Sequence, residues 1–167
     1  MRITFCCVIG LAFLFQNACA RPGAARIVEY DMGDAVQVGP LVYHVTQADW
    51  KTQIGEFPSV RMPERSFLLV RISVTNGGGE TLTIPQVELV NSKGDAFHEV
   101  TDGTGVPDWL GLLRTLNPAA TEQGTLVFDV PTNAYRLKLT DGSDMEHSRA
   151  AYVKIPLSFG DGTTGTP

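Results

Sequence analysis

The feature that most constrains this chain is an alternation of apolar and polar residues with a period of two, interrupted at short intervals by Gly, Pro, Asn or Asp. It is clearest in segments 67–75 and 135–140, whose apolar rows are Leu68, Val70, Ile72, Val74 and Tyr135, Leu137, Leu139. Because the side chains of a strand point to opposite faces in turn, each segment predicts a β-strand with one face in a core.

Similar apolar rows begin at Leu41, Val87, Leu126 and Ala151, and shorter candidates lie at 35–38, 81–84 and 96–100. Together they predict eight or nine strands. Glycine-rich and Asn-containing connections favour hairpins, and no helical pattern alternates with the strands. The sequence therefore predicts an all-β, immunoglobulin-like antiparallel β-sandwich.

One segment departs from the alternation and predicts a short helix or a packed loop near 107–115. It is unusually apolar for a connection between strands. Its side chains either plug the open end of the sandwich or form an exposed patch that contacts a partner. The residues concerned are Trp109, Leu110, Leu112 and Leu113.

The first 20 residues have the layout of a secretory signal peptide, with Arg2 before an apolar run over residues 3–15 and the triplet Ala18-Cys19-Ala20 after it. Cleavage after Ala20 would release an exported protein. Alternatively, Cys19 becomes the lipidated first residue of a membrane-anchored lipoprotein, although Gln16 fits that signal poorly, or the leader stays as an anchor. All three cysteines lie in this leader, so the remaining chain has no disulfide.

The domain organisation follows from composition. Residues 21–34 predict a flexible N-terminal tether, residues 35–159 the sandwich, and residues 160–167 a disordered tail. The net charge of −5 is mild and shows no basic run, which argues against nucleic acid as a partner. A membrane is expected as a partner only if Cys19 is lipidated.

Candidate chemical groups are few and scattered. His44 and His98 fall on the solvent faces of their strands, and a metal site joining them to Asp102 would require a favourable strand pairing. His147 lies in a charged connection. The Asp-Gly pairs suit turns better than calcium loops, and no nucleophile or phosphate-binding motif is present. We therefore predict no catalytic residue, no cofactor, no metal and no enzymatic activity.

The order of the pieces resembles a family of bacterial secreted, telokin-like immunoglobulin-type domains of unknown function, which includes the mycobacterial immunoprotective extracellular antigens. The resemblance covers residues 36–157 and rests on FLLVRISVTN at 67–76, TLTI at 81–84, SKGDAF at 92–97, LNPAAT at 116–121, Gly124 and FDVP at 128–131. It implies an exported location and often a lipoprotein or secreted antigen, and it implies no active site.

The resulting functional prediction is an exported, non-catalytic module that contacts another protein or an envelope component. One alternative is a carrier of a small molecule or lipid, using the space between the sheets or beneath Trp109. Another is a structural envelope protein anchored through Cys19.

Overall fold

The computed structural model describes residues 28–143 and 149–157. In that part of the chain every regular element is a strand, and no helix has the length and apolar character needed to cross a bilayer. The strands are β1 (Glu29–Tyr30), β2 (Ala35–Val38), β3 (Leu41–Lys51), β4 (Phe67–Asn76), β5 (Leu82–Thr83), β6 (Glu88–Val90), β7 (Ala96–His98), β8 (Thr115–Leu116), β9 (Thr121–Asp129), β10 (Tyr135–Thr140) and β11 (Ala150–Ile155).

Two sheets face each other. Sheet 1 has the order β1-β11-β10-β6-β7 and sheet 2 the order β2-β3-β4-β9, while β5 and β8 form a separate ribbon. All pairs are antiparallel except β1 with β11. The predicted apolar rows of both sheets point into the shared core, where most of their members are completely buried. The β-sandwich prediction is confirmed.

A register shift between Val45 and Gln47 divides β3 into two halves with opposite phase. Before it, Tyr43 and Val45 point inward; after it, Ala48 and Trp50 do, since they lie opposite the inward side chains of β4. Trp50 consequently packs against the core, with its ring centroid 6.3 Å from that of Tyr135.

Nine of the strands correspond to the sequence-based candidates, and the two additional ones, β1 and β8, have two residues each. Strand β1 corrects the predicted tether, because Glu29 and Tyr30 pair with β11 and so belong to the sandwich. The segment near 107–115 is a packed loop, not a helix.

The sandwich has two distinct ends. At the entry end lie Leu41, Asn76 and Thr140, where the Tyr43 hydroxyl donates a 2.7 Å hydrogen bond from sheet 2 to the Thr140 carbonyl of sheet 1. At the loop end lie Lys51 and Phe67, roughly 35 Å away by the length of β3. Since β1 runs parallel to β11, β1 begins on the side of the entry end.

The predicted signal peptide, Cys19, His147 and the tail from residue 160 lie outside the described residues.

Candidate functional site

A second, smaller core covers the outer face of sheet 2. Phe67 and Val127 point away from the main core and pack with Ile54, while Leu69, Val100, Val106 and Trp109 surround them. Two connections supply this cover: the β3–β4 loop (residues 52–66) and the crossover segment (residues 99–114), which leads from β7 of sheet 1 over to sheet 2. Both connections contribute side chains to this second core.

The crossover segment docks on β9 by backbone hydrogen bonds. The Thr125 amide donates to the Asp108 carbonyl at 2.8 Å, and the Leu110 amide donates to the Thr125 carbonyl at 3.1 Å. This close approach requires glycine at position 124, since a Cβ there would stand 2.7 Å from the Leu110 Cα. Docking covers the open edge of β9 and fixes the directions of the neighbouring side chains.

The four apolar residues singled out in the sequence are divided by this docking. Trp109 packs into the second core, and Leu110 points into the main core with only 2% of its surface exposed. Leu112 is half-buried, and Leu113 is 76% exposed. The structure therefore places Trp109 and Leu110 as supports of the fold and leaves Leu113 alone at the surface.

The β3–β4 loop has a fixed backbone. Ile54 and Arg61 exchange two backbone hydrogen bonds of 3.0 and 2.8 Å, and the Arg61 guanidinium donates to the carbonyls of Asp102 and Thr104 at 2.8 and 3.0 Å. At the far side of the loop, the Asp129 carboxylate accepts from the amides of residues 64 and 65 at 2.6 and 2.9 Å. These bonds limit the conformational entropy that the loop would lose on binding.

Large apolar side chains protrude from this fixed loop. Phe57 is 93% exposed and Met62 is 69% exposed, and Val60 stands beside them at 39%. They contribute little to the core, so folding does not account for their apolar character. The sequence analysis missed them because a loop has no periodicity from which to infer which side chains point outward.

A groove runs from the same loop over the outer face of β3 and β4. It consists of two adjoining hollows of about 190 and 280 Å³ that share Lys51, Leu69 and Pro107. Leu69 forms an apolar floor, and an ion pair of 3.3 Å between Arg71 and Asp108 lies at one rim. The lining of the larger hollow includes Gly55 and Glu56, which directly precede Phe57 in the β3–β4 loop.

The polar candidates from the sequence do not converge. His44, on sheet 2, has its Nε2 2.6 Å from the Gly33 carbonyl. His98 is on sheet 1, where its Nδ1 lies 3.6 Å from Oε1 of Glu88 on the same sheet. Hydrogen bonds from the Thr104 hydroxyl and amide lower the pKa of Asp102, whose carboxylate also lies 3.6 Å from Arg61. Among the described residues, no group of three His, Cys, Asp or Glu side chains could hold a metal ion.

The sequence analysis also missed a buried carboxyl group. Glu99 is 6% exposed; its Oε1 accepts a 3.0 Å hydrogen bond from the Val87 amide, and its Oε2 is buried without a partner among residues 28–143 and 149–157. Burial raises the pKa of Glu99 to about 7 against this single favourable hydrogen bond. Alternation with the inward-facing Phe97 would have indicated that Glu99 points inward.

Solved structures with the same fold come from several bacteria. The yjhA protein of Bacillus subtilis matches with a TM-score of 0.59 at 14% identity, over 75% of this chain and 98% of its own. The ycdA protein of Bacillus subtilis, provisionally named a lipoprotein, matches with a TM-score of 0.54 at 18% identity, over 74% of this chain and 38% of its own. MPT63, a secreted protein of Mycobacterium tuberculosis, matches with a TM-score of 0.54 at 15% identity, over 80% and 99%.

No functionally curated protein matches the sequence. A family model described as a domain of unknown function, DUF4352, matches residues 30–151, which include all of sheet 2, the crossover segment and most of sheet 1. The resemblance inferred from the sequence, to bacterial immunoglobulin-like domains of unknown function, is thereby confirmed, with MPT63 among the structural neighbours. This chain belongs to the DUF4352 family.

Proposed function

We propose that this protein is an exported, non-catalytic module that binds another protein through its β3–β4 loop. The observation that carries the proposal is the near-complete exposure of Phe57 on a loop whose backbone is fixed by Arg61 and Asp129. A rigid aromatic side chain that enters a pocket is the usual centre of a protein–protein interface, and a preorganised loop lowers the entropic cost of the contact.

The size and charge of the surface favour a protein over a lipid bilayer. Full burial of Phe57, Val60 and Met62 would contribute about 1.5–3 kcal/mol each. That sum is below what a myristoyl chain supplies at roughly 0.8 kcal/mol per CH₂, and one such chain holds a protein on a membrane only marginally. Nor does the protein, with a net charge of −5, add attraction to anionic lipids.

Export is supported by the leader over residues 1–20 and by the secreted or lipoprotein names of two structural neighbours. If Cys19 is lipidated, we expect the membrane to lie on the side of the entry end, where β1 begins. The apolar loop is then held at the opposite end, roughly 35 Å away along β3, where it faces a partner outside the membrane.

The alternative of a lipid carrier has less support. The space between the two sheets is filled by side chains that are almost completely buried, and the crevice beside Glu99 has a volume of only about 10 Å³. A carried lipid would need an enclosed cavity of several hundred Å³, whereas the two hollows of the groove are open to solvent.

Site-specific photo-crosslinking in the organism that makes the protein tests the proposal. A benzophenone amino acid replaces Phe57, and a matched control replaces Gly79, which is exposed at the entry end and has no atom within 4 Å of the point where a Cβ would stand. We expect a discrete protein adduct from position 57 and none from position 79. Equal labelling from both positions, or no adduct from position 57, would contradict the proposal.

A further inference from the structure

Glu99 lies at the start of the crossover segment, in a crevice closed by that same segment. The crevice is lined by Val87, Leu126, Leu110 and Leu112, and its volume of about 10 Å³ has room for about one water molecule. One carboxylate oxygen of Glu99 has no partner there among the described residues. The anion therefore has a desolvation cost in this crevice that the neutral acid avoids.

The part of the segment that closes the crevice, residues 108–113, is held in a strained backbone conformation. Asp108 and Leu113 have φ angles of 50° and 56°, a left-handed conformation that costs energy for residues with a side chain. The opposing bonds are the two to Thr125, the 3.3 Å ion pair between Arg71 and Asp108, and a 2.5 Å hydrogen bond from Arg114 Nε to the Leu110 carbonyl. The closed position is maintained by these bonds and by the packing of Leu110, which water in the crevice would weaken.

Within the described part of the chain, no cation compensates the carboxylate. The residues at 84–87, the facing Leu126 and residues 110–113 contribute no other charged side chain to the crevice lining. Arg114 is bonded to the Leu110 carbonyl. Glu88, whose neighbours His98 and Lys138 lie at 3.6 and 2.8 Å, alternates with the inward residues of its strand and faces away.

We infer that protonation of Glu99 is a latch: the neutral carboxyl keeps residues 108–113 closed over the crevice, and the carboxylate admits water and raises the population of molecules in which they are open. Burial raises the pKa of Glu99 to about 7, so both forms are populated near neutral pH. Acidic surroundings favour the closed form and alkaline surroundings the open one.

Opening reaches the β3–β4 loop through a short series of contacts. Trp109, within the latch, covers Gly103, and the carbonyls on either side of Gly103 are the two acceptors of Arg61. Release of Trp109 frees these carbonyls to move and loosens the loop that carries Phe57. Resting on the proposed function, this makes the interaction surface more ordered at acidic pH.

Fluorine NMR of protein labelled with 5-fluorotryptophan tests the latch without a partner. The chain has two tryptophans, and Trp50, packed against the main core, serves as the internal reference. Between pH 5 and 8 we expect the Trp109 resonance to move toward the shift of an exposed fluorotryptophan with a midpoint near 7, while that of Trp50 stays constant. Glu99→Gln should abolish this transition, and His98→Gln should retain it.

Three results would overturn the inference: a Trp109 resonance that does not depend on pH, the same transition in Glu99→Gln, or its loss in His98→Gln. If Glu99→Gln does not fold, the carboxyl carbon shift of Glu99 in the unsubstituted protein decides, because its titration must share the midpoint of Trp109. If the latch fails this test, the crosslink from position 57 should still form, but independently of pH. If the latch passes and the crosslink is missing, only the proposed partner contact is wrong.

Discussion

The indole of Trp109 occupies the space that a side chain at Gly103 would need. A Cβ at position 103 would stand 1.9 Å from Cδ2 of the ring, and its three nearest atoms would all belong to Trp109. Glycine at 103 and tryptophan at 109 therefore form one packing unit, which covers the second core and positions the carbonyls that hold Arg61.

Gly103→Ala should destabilise the protein by about 1–3 kcal/mol, as overpacking of a well-filled site does. Trp109→Ala should cost about 3 kcal/mol, since it removes a large packed aromatic ring. In the double variant the alanine methyl meets no indole, so the cost of Gly103→Ala should nearly vanish. Urea unfolding of the four proteins measures this coupling, and additive costs would contradict the packing.

The free energy of unfolding should depend on pH through Glu99. Its pKa is raised to about 7 in the folded protein from 4.5, so the unfolded chain loses this proton first as pH rises. The contribution of Glu99 to the free energy of unfolding is therefore greatest below pH 4.5, falls between pH 4.5 and 7, and is constant above pH 7. The loss is about 3 kcal/mol. Comparison of Glu99→Gln with the unsubstituted protein at pH 5 and 8 isolates it, and parallel pH profiles would contradict the expectation.

Asn76 should be far more important for stability than its polar side chain suggests. It is fully buried; its Nδ2 donates to the carbonyls of Glu80 and Leu116 at 2.7 and 3.1 Å, and its Oδ1 accepts from the Gly78 amide at 2.9 Å. Asn76→Ala leaves these groups unpaired and should cost about 2 kcal/mol or more. The matched Asn133→Ala, at an exposed turn, should stay within about 0.5 kcal/mol in the same thermal denaturation assay.

Substitution by alanine should destabilise the protein strongly at Phe67 and hardly at all at Phe57. Phe67 is 2% exposed in the second core, so Phe67→Ala should cost about 3–5 kcal/mol. Phe57→Ala removes a side chain that is 93% exposed and should change stability by less than about 0.5 kcal/mol. Thermal denaturation of both variants measures the contrast, and a large loss in Phe57→Ala would mean that this ring serves the fold.

The strands were predictable where one face is buried and the other is exposed to solvent. β4 and β10 alternate without interruption, so their inward rows, for example Val70 and Leu137, follow from the sequence alone. In β3 the bulge after Val45 reverses the alternation of inward and outward side chains. The residue type at Thr46 does not predict this bulge. β1 and β8 are too short to show any periodicity.

The candidate site was not predictable from residue types. Trp109 and Leu110 lie in a run of closely spaced apolar residues and point inward. Phe57 and Met62 are isolated apolar residues of their loop and point outward. That difference comes from long-range contacts, such as the backbone bonds to Thr125 and the hydrogen bonds from the β3–β4 loop to the crossover segment. Irregular segments carry no periodic signal that separates the two cases.

Competition for the crosslinked partner tests the central claim that Phe57 and Met62 form the contact. Purified domain is added in excess to cells or extracts that carry the benzophenone at position 57. The unsubstituted domain should abolish the adduct, while an equally stable Phe57→Ser/Met62→Ser variant should leave it almost unchanged. If the double variant competes as well as the unsubstituted protein, the β3–β4 loop is not the contact surface.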